Sequence, residues 1–229
     1  MSQPILIFDM DGVLVDVTES YRETIARTVE HYTAAKPTHE QIQDFKNQGG
    51  FNDDWRLSHH IITGVGVDVP FEEMKAHFQS LFLGAGGDGA GGLIQREQWV
   101  ARPGVLEKLS RQFRLAVFTG RPREEAGLTL RRFAGPLTVD PIIALEDVAH
   151  PKPAPDGLLR IALDNPGAKL FYVGDSIDDA RSARAAGVPF IGIAAPSNPR
   201  YLDLVFLFQE ERAWAIVDDI NYLDEVFTA

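Results

Sequence analysis

Short apolar runs recur along the chain, and each is bounded by acidic, hydroxyl, glycine or proline residues. Ile5-Leu6-Ile7-Phe8 ends in Asp9-Met10-Asp11-Gly12, the run at 115–118 in Thr119-Gly120-Arg121, and the run at 142–145 in Glu146-Asp147. Two more stand at 170–173, before Gly174-Asp175-Ser176, and at 190–193, after Pro189. Unbroken runs of this length suit strands covered on both faces, as in a parallel sheet. Between them, helical spacing predicts helices over 105–113, 124–133, 155–163 and 178–186, the last stopped by Gly187. Strand and helix alternate, which predicts an α/β core with a doubly wound, Rossmann-like parallel sheet. In such a sheet ligands gather at the carboxyl ends of the strands, where the polar clusters stand.

Between the first and second strands the alternation stops. Helical spacing covers 18–34, 38–48, 52–63 and 70–83 with no strand between, and Thr18 and Thr38 are placed as N-caps. This insert is too long for a connecting loop, so the chain is expected to form a core domain from 1–16 and 97–229 and a helical cap domain from 17–96. The glycine-rich stretch 84–92 cannot hold a helix and is either a surface loop or a substrate-facing one. It lacks the Lys-Ser or Lys-Thr ending of a nucleotide P-loop. Hinges are expected near 15–20 and 93–102. The late run 201–208 reads as a last strand, a buried helix or a contact surface, and its apolarity favours burial in the core.

Composition narrows the functional classes. The 229 residues are 45% hydrophobic and 24% charged, a balance that supports a packed core. A formal net charge of -11 repels polyanions, so nucleic acid is not an expected partner. Without cysteine there are no disulfides or thiolate ligands, which fits a reducing cytoplasm and leaves oxygen and nitrogen to bind metals. The start, Met1-Ser2-Gln3-Pro4, lacks the basic and apolar regions of a leader, and no run approaches the roughly 20 residues of a membrane span. The expectation is a soluble cytoplasmic protein, monomer or homodimer, without a membrane partner.

Asp9 and Asp11 stand two apart at a strand end, so an extended chain puts both on one face and a turn at Gly12 aims them at one point. Two acids that close repel unless a cation neutralises them or one carries a proton. An all-oxygen site suits Mg²⁺. A pair of solvated loop acids is the alternative.

Asp9-Met10-Asp11-Gly12-Val13-Leu14-Val15-Asp16 after an apolar strand resembles motif I of the haloacid dehalogenase-like superfamily. Thr119 with Gly120 resembles motif II, Lys152 within Pro151-Lys152-Pro153-Ala154-Pro155 motif III, and Gly174-Asp175-Ser176-Ile177-Asp178-Asp179 motif IV. Four motifs in order at matching strand ends are specific where one would be weak. The helical insert is similar to the C1 cap of the phosphoglycolate phosphatase-like branch.

The resemblance implies phosphoryl transfer through an aspartyl-phosphate. It makes Asp9 the nucleophile, Asp11 the acid and base, and Lys152 and Thr119 the groups that stabilise charge. Asp9, the Asp11 carbonyl and Asp175 would hold Mg²⁺, with Ser176 and Asp179 supporting from behind. Gly120 would bind the substrate's phosphate through its amide. Arg121 would bind that phosphate or another anionic group, or else lie on the surface. Asp178 either replaces Asp179 or serves as a helix N-terminal acid. An acid at Asp11 favours phosphate esters over carbon–halogen bonds, since halide leaves without a proton. The expected function is a Mg²⁺-dependent phosphatase acting on a small phosphorylated metabolite. The alternatives are a phosphomutase of the same branch, a silent phospho-ligand sensor, or a receiver-like signalling domain, though the last would need neither Asp11 nor the insert.

Other residues carry competing readings. Asp16 is expected to be structural. His59 and His60 are adjacent on a helix and point apart, which disfavours a zinc pair. His150, where the family commonly has glycine, reaches substrate or covers its loop. Trp55, Trp99 and Trp214 read as packing residues. Lys36, Trp55, Arg56, His59 and His60 in the cap are the substrate candidates.

Overall fold

The first apolar run forms β1 (Ile5–Phe8), buried at every position because it lies inside a sheet. The computed structural model describes residues 3–228; Met1 and Ser2, part of the stretch read as lacking a leader, lie outside them with Ala229. Six parallel strands build the sheet: β1, β4 (Arg114–Phe118), β5 (Val139–Ile143), β6 (Leu170–Gly174), β7 (Phe190–Ile193) and β8 (Ala215–Val217). Their order is β5-β4-β1-β6-β7-β8. The chain therefore builds outward on one side of β1, returns, and builds outward on the other, which makes the carboxyl end of β1 the topological switch point. Register levels the site: Phe8 lies opposite Val117 and Val173, so Asp9, Phe118 and Gly174 stand in one row.

Two short strands, β2 (Val15–Asp16) and β3 (Gln98–Trp99), form a separate two-stranded sheet. The chain folds as two compact units. One runs to Val15 and resumes at Trp99; the other is Asp16–Gln98. The first unit also holds α5 (Val105–Leu109), α6 (Arg123–Phe133), α7 (Asp156–Asp164), α8 (Ile177–Ala186), α9 (Tyr201–Glu210) and α10 (Leu223–Thr228). Leu158 and Ile161 of α7, Ala180 and Ala183 of α8, and Leu204 and Phe208 of α9 are buried with β1, β4, β6 and β7 in one apolar cluster.

The second unit is helical: α1 (Glu23–Thr33), α2 (His39–Gln48), α3 (Asp54–Gly64) and α4 (Phe71–Phe82). Thr38 caps α2 in a reciprocal pair with Gln41. Thr18 caps nothing; a π-helical turn, Thr18–Arg22, precedes α1, and the Thr18 N–H donates to Asp16 Oδ1 at 2.9 Å. The glycine-rich stretch is pinned rather than extended: Gly89 N–H donates to Leu83 O, and Gln95 Nε2 to Gly89 O.

Two strands and the late apolar run depart from the sequence reading in detail. The strand placed at 142–145 begins at Val139, hidden by Asp140 and Pro141, and Leu145 belongs to a 3₁₀ turn. Strand β8, three half-buried edge residues, carried no apolar run long enough to mark it. The run 201–208 forms a helix buried on one stripe only: Phe208 is fully covered while Phe206 is 60% exposed. Phe208 seats on Gly192, where any side chain would meet its ring, and lies 5.3 Å from the Phe190 ring centre. No helix among the described residues is long and apolar enough to cross a membrane.

Phe208→Ala is expected to cost about 3–5 kcal/mol in urea unfolding, and Phe206→Ala less than about 0.5 kcal/mol. Equal losses would contradict the one-sided seating of α9.

Candidate active site

The row at the switch point is fixed by backbone before side chains enter. Asp9 N–H donates to Val173 O at 2.8 Å, and Thr119 N–H to Ile143 O at 3.0 Å. After Asp9 the chain turns: Gly12, at φ +71°, donates to Val15 O, while Leu14 and Val15 donate to Met10 O. Asp9 is thereby held at the strand end and Asp11 is swung onto the turn.

Lys152, on the loop before α7, enters this row fully buried. Its Nζ lies 2.9 Å from Asp9 Oδ1, 2.7 Å from Asp179 Oδ1 and 3.1 Å from the Tyr172 hydroxyl. Burial alone disfavours an ammonium, but Asp179 and Asp9 outweigh it and hold the Lys152 pKa above the usual lysine range. Asp179 is lowered, since Lys152, Ser176 and Tyr172 together overcome its burial. Burial pushes Asp9 well up against the pull of Lys152, and the carboxylates of Asp179, Asp11 and Asp175 add to that push. The Tyr172 hydroxyl donates to Asp179 Oδ1 at 2.6 Å, and burial with the same acid keeps it un-ionised.

Asp179 is turned toward Lys152 by helix capping. Ser176 is the N-cap of α8: its Oγ accepts the Asp179 N–H, and its own N–H and hydroxyl donate to Asp179 Oδ2. Gly174 makes room, because a side chain there would start 2.4 Å from Asp179 Cβ. Gly12 does the same for Asp175, whose Oδ2 lies 1.9 Å from where a Cβ would stand.

Oxygens of Asp9, Asp175 and Asp179 lie within 4.8 Å of one another. Both oxygens of Asp179 are engaged by Lys152, Tyr172 and Ser176, so Asp9 and Asp175 are the pair that fits a cation. Asp9 Oδ1 is close enough to Lys152 for an ion pair, yet out of alignment for a hydrogen bond from any described residue. An all-oxygen cluster of this kind suits a hard divalent cation.

The other expected residues separate clearly. Thr119 is buried beside this row, and its Oγ1 accepts the Arg121 N–H at 3.2 Å. Gly120 lies between them. Arg121 is no surface residue: its side chain is 1% exposed and pairs through Nε and Nη2 with Asp11 Oδ1. The Asp11 carboxylate therefore faces Arg121 rather than joining the acidic trio. Asp178 is buried in the first turn of α8, and Asp179 is the acid that meets Lys152. His150 is exposed and bonds Asp156 Oδ2 at 3.0 Å through its ring and its backbone, covering its loop. In the helical unit, His59 bonds Val69 O while His60 packs on Phe51, so the two rings face different partners. There too Lys36 pairs with Glu23, Arg56 with Asp53, and Lys75 covers Trp55. Tyr172 was missed: within an apolar run it reads as core, and only its hydroxyl departs from that.

A family model described as haloacid dehalogenase-like hydrolase matches residues 4–187. The chain belongs to this family. The chain is 35% identical over 210 residues to an imidazoleglycerol-phosphate dehydratase of Phytophthora nicotianae, covering 86% of this chain but 45% of that protein. It is 23% identical over 193 residues to the pyrophosphatase PpaX of Bacillus velezensis, covering 82% of each. Its fold matches a putative phosphoglycolate phosphatase of Lactobacillus plantarum with a TM-score of 0.72 at 18% identity, covering 99% of this chain and 100% of that one. The hydrolase family and the α/β core with its flanking helices follow from these matches.

Gly12→Ala should lower magnesium affinity by calorimetry at least about ten-fold, because it displaces Asp175. Gly167→Ala is the control: its φ is +79° with nothing within 4 Å, so it imposes the backbone strain without the clash. Equal affinities in the two variants would remove Asp175 from the cation site.

Proposed function

We propose that this hydrolase is a phosphatase, cleaving the phosphate monoester of a small metabolite through an aspartyl-phosphate on Asp9. The observation that carries the reading is the buried ammonium of Lys152, shared between Asp9 and Asp179. A carboxylate attacking a phosphate dianion meets repulsion that grows as water is excluded. A fixed ammonium beside the attacking oxygen offsets it without reorganising.

Asp9 attacks phosphorus as the bond to the substrate oxygen breaks. Asp11 gives that oxygen a proton, then takes one from the water that opens the acyl-phosphate. Thr119 Oγ1 already accepts the Arg121 N–H, so its own hydrogen is directed to a phosphoryl oxygen, beside the Gly120 amide. Asp179 and Tyr172 keep Lys152 charged and aimed. Asp9, Asp175 and the Asp11 carbonyl would hold Mg²⁺, which when bound supplies neutralising charge to the phosphoryl oxygens. The presence of Asp9, Asp11, Lys152 and Asp175 together supports turnover over silent binding, and the similarity to a pyrophosphatase and a phosphoglycolate phosphatase supports a phosphate substrate.

Phosphate release from a panel of phosphorylated metabolites with Mg²⁺ tests this. Asp9→Asn should lower the rate at least about 10³-fold and Lys152→Met about 10²-fold or more. Activity equal to wild type in Asp9→Asn would end the nucleophile assignment; phosphate passed to a second hydroxyl instead of water would make the enzyme a mutase.

A further inference from the structure

Arg121 contacts two of the groups assigned above, and its geometry fits neither a surface side chain nor a phosphate ligand. Its backbone N–H holds Thr119 Oγ1 at 3.2 Å and its carbonyl accepts the Leu145 N–H at 3.0 Å. Its guanidinium is fixed at the far end, where Nη1 donates to Thr129 Oγ1 of α6 at 2.8 Å. Nε, at 2.7 Å, and Nη2 both donate to one atom, Asp11 Oδ1. Both donors therefore reach Oδ1 from the same side and hold it toward Arg121. Oδ2 receives neither of these donors, and the Asp11 side chain remains 31% exposed.

We propose that Arg121 is a positioning residue that anchors Oδ1 of Asp11 on a fixed guanidinium, so that Oδ2 is the oxygen left to serve the reacting phosphate ester. The inference rests on the phosphatase reading of the same site. In the first step the Oδ2–H bond breaks and the proton goes to the substrate oxygen as its bond to phosphorus breaks and the Asp9–phosphorus bond forms. In the second, water attacks phosphorus, its proton goes to Oδ2, and the Asp9–phosphorus bond breaks, returning both carboxyl groups to their starting states. Arg121 exchanges no proton. Lysine cannot replace it, since one ammonium cannot set two parallel donors on Asp11 and a third on Thr129.

A shape-matched substrate pair separates this role from plain support of the fold. With Mg²⁺, p-nitrophenyl phosphate and phenyl phosphate differ chiefly in how much the leaving oxygen needs a proton. In Arg121→Met, kcat/KM for phenyl phosphate should fall at least about ten-fold more than for p-nitrophenyl phosphate. Stopped-flow traces with p-nitrophenyl phosphate should also gain a burst, because opening of the acyl-phosphate has lost its aimed base. Thr129→Val, which frees only the far end of the guanidinium, should show the same split at smaller size, and it decides the matter if Arg121→Met does not fold. Equal falls on both substrates without a burst would overturn the positioning role while leaving the phosphatase reading intact. Wild-type activity that survives Asp9→Asn would overturn both.

Discussion

Burying an ammonium inside a protein costs several kcal/mol unless its partners are in place. In this chain the partners are two carboxylates from different strand ends, Asp9 after β1 and Asp179 after β6, with the Tyr172 hydroxyl between. Much of the local structure serves that contact. The parallel register of β1 with β6 sets Asp9 level with Gly174, the cap of α8 turns Asp179 inward, and Gly174 lets it approach. The same ammonium gives Asp9, the proposed nucleophile, its positive neighbour.

Charge explains why the site has its other parts. Asp9 is buried among acids that push it toward the protonated form, a poor state for a nucleophile. Lys152 offsets part of that push, and a divalent cation at Asp9 and Asp175 would offset the rest. Asp11 is handled separately: its carboxylate pairs with Arg121 rather than with the acids around Lys152. Asp175 depends on Gly12, whose missing side chain is occupied by the carboxylate itself.

Much of this was legible in the sequence because strand ends in a parallel sheet are marked by abrupt changes from apolar to polar residues. Asp9, Thr119 and Asp175 each follow such a run, and sheet register brought them together. The missed parts lack that mark. Tyr172 looks apolar in a buried strand, and its polar contribution depends on residues 20 positions before and seven after it. Arg121 read equally as phosphate ligand or surface residue, because its partner Asp11 is 110 positions away and only the fold pairs them. Edge strand β8 is too short to show a period, and α9 is apolar on a face that the sheet does not cover. Thr18 resembled a cap, but the cap position belongs to a turn that opens with a π-helix.

The central claim is that Lys152 makes Asp9 the phosphate acceptor. A crystal structure with Mg²⁺ and beryllofluoride, a mimic of a phosphoryl group bound to carboxylate, tests it most directly. The account predicts beryllium bonded to Asp9, with Lys152 Nζ and Thr119 Oγ1 donating to its fluorines. Beryllofluoride on another side chain, or a Lys152 ammonium turned away from it, would contradict the account.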